Sequence, residues 1–141
     1  MTTATQDTQV ASDRRLAALR GNCMGAAVLL IIEFALGISV NLYVPLPAHK
    51  SFFGTVFSSA TLAAHVIVAL ALIGAAIAAV IRAVRSGRAV ALTAVGLAAI
   101  LLAAFAGASF AGSQANGASL TMALATVAAM FSYLAAVYNL R

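Results

Sequence analysis

The sequence predicts an all-α protein, a four-helix transmembrane bundle running up-down-up-down with both termini cytoplasmic. Three observations predict it. The 141 residues are 64% hydrophobic and only 8% charged. A soluble domain carries about 25% charged residues, so this chain cannot cover a water-facing surface. The apolar residues fall into four runs, each long enough for a hydrocarbon core about 30 Å thick. The arginines, finally, gather at one set of run boundaries and leave the other set nearly bare.

Residues 1–22 read as a polar and basic tail, and 23–141 as the membrane domain. The first ten residues, MTTATQDTQV, hold few bulky apolar side chains and are expected to be disordered. Ser12 suits an N-cap for a short juxtamembrane helix, DRRLAALRGN. The first span, 23–44, is CMGAAVLLIIEFALGISVNLYV, and Pro45 and Pro47 stop it. It is too long for a signal-peptide core and lacks a small-x-small exit, so it reads as a retained span. Tyr43, Phe52 and Phe53 suit an interfacial belt. The second span, 55–81, carries His65, and the basic turn RAVRSGR follows it. The third span, 89–111, ends in the polar turn GSQANG, and the fourth covers 117–140. Connections this short make sequential helices neighbours.

Arg14, Arg15, Arg20, Arg82, Arg85, Arg88 and Arg141 all fall on one side of this arrangement, and only Lys50 on the other. The positive-inside rule makes that side cytoplasmic and opposes dual insertion. A net charge of +5 distributed in this way gives no nucleic-acid-binding patch. Abundant alanine and the excess of arginine over lysine point to a bacterial plasma membrane. The single Cys23 excludes an internal disulfide.

Packing between spans rests on close fit and polar bonds, because lipid is as apolar as leucine. Gly74 with Ala78, and Ala103 with Gly107 and Ala111, form small-residue seams. These serve packing within the bundle, or association with a second copy or a larger membrane complex.

The polar residues inside the spans are the candidate site. Glu33 lies about 13 Å along the first span and His65 about 15 Å along the second from the opposite end, at ~1.5 Å per residue. Both counts put them near the midplane, on antiparallel neighbours. An unpaired carboxylate there costs several kcal/mol, so it protonates or finds a donor. Imidazole can be that donor. Ser58, Thr61 and His65 share one side of the second span, and Asn41 follows Glu33 two turns on. Ser119, Met122, Thr126, Met130 and Tyr133 make one face of the fourth.

Three readings follow. In the first, the chain is a non-catalytic accessory, assembly or binding subunit whose Glu–His pair fixes helix register or holds a ligand. No Ser/His/Asp triad, Walker loop, CxxC or HExxH occurs, so no enzyme is expected. The second reading rests on His65 in the helix HVIVALALIGAAI, which resembles the four-helix haem domains of cytochrome b561 and haem A synthase. That resemblance implies haem b, or a quinone. Those families pair axial histidines, whereas here the fourth span offers Met122 or Met130. The third reading is a proton-coupled transporter or channel. Four spans with a glutamate in the first are similar to the small multidrug-resistance transporters, which implies proton exchange at Glu33. The chain departs from them in its charge asymmetry and in having no Trp.

Overall fold

The computed structural model describes residues 2–45 and 52–141, with side chains from 6–45 and 54–141. His49, Lys50 and Pro47 lie outside the described residues, as do the side chains of Phe52 and Phe53. The described chain is helical: α1 (Thr2–Tyr43), α2 (Phe52–Val56), α3 (Ala60–Ser86), α4 (Val90–Ser113) and α5 (Asn116–Asn139). Four of these, α1, α3, α4 and α5, are long and apolar enough to cross a membrane.

Two boundaries differ from the sequence expectation. The N-terminal residues are not separate from the first span: α1 is continuous over its 42 residues. No proline interrupts it and no glycine occurs before Gly21, so the polar composition of the first turns does not break the helix. Residues 6–15 are exposed on every side of it. The second long helix begins at Ala60 rather than at 55. Ser58 ends the preceding short helix, because its hydroxyl donates to Thr55 O at 2.6 Å while its backbone N–H bonds the same carbonyl at 3.1 Å. A serine that satisfies its backbone locally competes with helix continuation. Ser59 is then extended, with φ −145°.

Each long helix packs against two others: α1 on α3 and α5, and α4 on α3 and α5. Between α1 and α3 the contacts pair Ala18 with Arg82, Asn22 with Ala75 and Glu33 with His65. One number rises as the other falls, so the two helices run in opposite directions. The α3–α4 turn is closed by Gly87 at φ 65°, with Gly87 N–H donating to Val84 O and Arg88 N–H to Ala83 O. That pair of bonds requires a left-handed residue, which glycine provides without steric cost.

The core sits toward the arginine-bearing end. Leu19, Cys23, Ala26 and Leu30 meet Ala76, Ala79 and Ala83, then Ala129, Tyr133 and Ala136. Alanine dominates, so the helices approach closely, and Tyr133 fills the largest space. Gly96 makes room for it: a Cβ there would lie 2.7 Å from Tyr133 Cε2. The tight packing of this half closes the bundle beneath the site.

Candidate functional site

Toward the other end the four long helices part around a cavity of about 550 Å³. Leu30, Leu72 and Ile100, all buried, close its floor against the alanine core. Thr55 and Val56 of the α2 segment, also buried, line the far rim. Most of the wall is apolar, and Glu33 and His65 stand within it.

The helix directions bring these two together. His65 Nδ1 lies 3.1 Å from Glu33 Oε1, with side-chain exposures of 17% and 10%. The contact is close but not in line. Nδ1 makes no directed hydrogen bond to the oxygen, and Glu33 Oε2 is buried with no partner. The acid therefore keeps one carboxylate oxygen free for a donor.

The depth of the pair follows from the helix bounds. Because α3 starts at Ala60, His65 is only about five residues into it, or ~7.5 Å. Counted from Arg20 and Arg82, Glu33 and His65 lie roughly 20 and 25 Å along their helices. Glu33 thus lies about 15 Å from the Tyr43 end of α1, and His65 about half that distance from the Ala60 end of α3. The expected count for His65 began at Thr55, across the break at Ser58.

Gly37 and Met122 complete the immediate surroundings. A Cβ on Gly37 would lie 3.3 Å from His65 Cε1 and 4.0 Å from Met122 Cε. The imidazole edge therefore packs onto the glycine, with the Met122 methyl close by. Met122 Sδ in turn occupies the space at Gly107, 3.2 Å from where its Cβ would be.

Among the other residues singled out from sequence, Asn41 lines the cavity near its outer end and is exposed. Ser58 and Thr61 do not line it, and the Ser58 hydroxyl serves the turn described above. Met130 packs on the alanine core rather than on the cavity. Ala103, Gly107 and Ala111 line the α4 wall. Gly74 is exposed with nothing within 4 Å, and Ala78 is half-buried. The hydroxyls of the fourth span do not form a shared network. Thr126 donates to Met122 O at 2.8 Å, within its own helix. Sequence reasoning missed Gly37 as the packing partner of His65. Its position one turn after Glu33 is the signal that carries this role.

Of the two sulfur candidates, Met122 lines the cavity with His65 and Met130 does not. Among the described residues, no group of three or more His, Cys, Asp or Glu side chains is placed to hold a metal ion. Compared with known proteins, the chain matches no protein family, no curated protein and no solved structure.

Proposed function

We propose that the chain is a non-catalytic binding subunit of a bacterial plasma membrane. In this reading the Glu33–His65 pair holds the polar end of a small, mostly apolar molecule. The four long helices form an up-down-up-down bundle with the arginine-rich end, and so both termini, in the cytoplasm. The observation that carries the binding reading is the partnerless, buried Glu33 Oε2 inside an apolar cavity. Ligand sites combine these features: concave, mainly apolar walls with a few polar groups that fix orientation. An ionisable group inside a membrane span points the same way. A purely structural pair has no need of surrounding space, and the packed alanine half shows how tightly these helices close where nothing is to be held.

The test is native mass spectrometry of protein released from lipid nanodiscs. The wild type is expected to carry an extra small-molecule mass that Glu33→Leu with His65→Leu loses. Identical bare masses in both proteins, under conditions that retain bound lipid elsewhere, would overturn the reading.

A second reading, haem b, is favoured by one observation, that His65 and Met122 line the same cavity. Expression with excess haem tests it. A Soret band that His65→Leu abolishes supports the reading, and a colourless wild type removes it. The packed floor argues against a through-channel in this conformation.

A further inference from the structure

We infer that the cavity takes an uncharged amphiphile with a hydroxyl head and an apolar tail, and that it arrives from the lipid through the seam between α3 and α4. This inference deepens the binding reading above and rests on it.

The route comes from one side of α4. Thr93, Leu97, Ala104 and Ala108 share that side, at helical spacings of four, seven and four. Close to the Gly87 turn the side is packed: Thr93 is buried and Leu97 half-buried. Two turns further on, Ala104 and Ala108 are exposed, yet both line the cavity. On α3, Leu70 also lines the cavity while 64% exposed, with Ala69 beside it. Two helices joined by a tight turn therefore part as they leave it. The wall between cavity and outer surface is built there from methyl groups. Across this surface the neighbour of a membrane-spanning bundle is an acyl chain, so the molecules that can reach the gap are those dissolved in lipid.

The head group comes from the polar atoms. Glu33 Oε2 is buried and needs a donor. His65 turns Nδ1 to Glu33, so Nε2 is the ring nitrogen left for a ligand. With both ring nitrogens protonated beside the carboxylate, a hydroxyl accepts from Nε2–H and donates to Glu33 Oε2. It does so without adding net charge to a low-dielectric space, whereas an ammonium adds one.

The chain has no Trp, so Phe34→Trp, on the cavity wall, provides a single indole reporter in nanodiscs. Three probes with the same dibrominated ring and alkyl tail act as quenchers: a phenol, its O-methyl ether and a benzylamine. The phenol is expected to quench saturably, at a half-saturating lipid fraction about tenfold below the ether, and Glu33→Leu is expected to abolish the difference. Adding Ala104→Phe and Ala108→Phe is expected to slow the quenching transient about tenfold when the phenol is delivered from vesicles. Ala104→Leu alone serves if the double variant does not elute as a folded species.

Phenol and ether behaving alike, or the amine binding tighter, overturns the head-group assignment. An unchanged transient in both seam variants overturns the route. If none of the three probes quenches saturably, the binding reading itself fails.

Discussion

Replacing Gly96 with alanine tests the packing that closes the bundle beneath the site. The new Cβ would lie 2.7 Å from Tyr133 Cε2, 2.8 Å from Cζ and 3.2 Å from Cδ2. Carbon atoms in good contact lie about 3.5–4.0 Å apart, so the ring must retreat by ~1 Å. It has nowhere to go, because Tyr133 is fully buried among Cys23, Ala129 and Ala136. The atoms that clash belong to a rigid ring, not to the free end of a flexible chain. Overpacking of this kind costs about 1–3 kcal/mol, and the rigidity of the ring places Gly96→Ala toward the upper end. Equilibrium unfolding by SDS titration in mild detergent measures it. Gly74→Ala is the control: nothing lies within 4 Å of that position, and helix propensity there favours alanine by up to ~1 kcal/mol. Tyr133→Phe keeps the ring and should raise Gly96→Ala by no more than it raises the wild type, whereas Tyr133→Leu should recover part of the loss. Gly96→Ala with wild-type stability, or a larger gain from Tyr133→Phe in that variant than in the wild type, would refute the reasoning.

Tyr133→Phe alone should stabilise the protein by about 1 kcal/mol in the same titration, since it removes a buried hydroxyl that has no partner. Asn22→Ala should cost about 0.6 kcal/mol, up to ~1.7, by deleting the bond from Nδ2 to Ala75 O across α1 and α3; an unchanged SDS midpoint would count against that bond. Gly87→Ala should cost about 1–2 kcal/mol through its positive φ, while Ser86→Ala, on the neighbouring residue, should cost less.

The four long helices were legible from composition and run length, because a membrane span announces itself as an unbroken apolar stretch. Their ends were less so. Ser58 reads as part of a span until its hydroxyl is seen bonding Thr55 O, and a local bond of that kind leaves no mark on hydropathy. The N-terminal polar residues lack packing partners, so sequence gave no apolar periodicity to show that α1 continues through them. The pairing of Glu33 with His65 could be argued from span position, since antiparallel neighbours bring residues at matching heights together. Its height could not, because that count depended on where α3 begins. The cavity was not legible at all. It arises where α3 and α4 separate, and an alanine such as Ala104 reads the same whether it packs against a neighbour or borders a gap. Tyr133 was assigned to an interior face of the fourth span, but its dependence on Gly96 joins two helices and has no signature in either one.

The central claim is that a carboxylate and an imidazole from adjacent helices meet within the bundle. Glu33 is the single glutamate in the chain, and His49→Asn leaves His65 as the single histidine. Solid-state NMR on that variant in lipid, with ¹³C-glutamate and ¹⁵N-histidine, therefore reports on this pair alone. The separation of 3.1 Å between Nδ1 and Oε1 predicts strong dipolar recoupling between the ring nitrogen and the carboxyl carbon. Full echo intensity at long mixing times, meaning no recoupling, would contradict it.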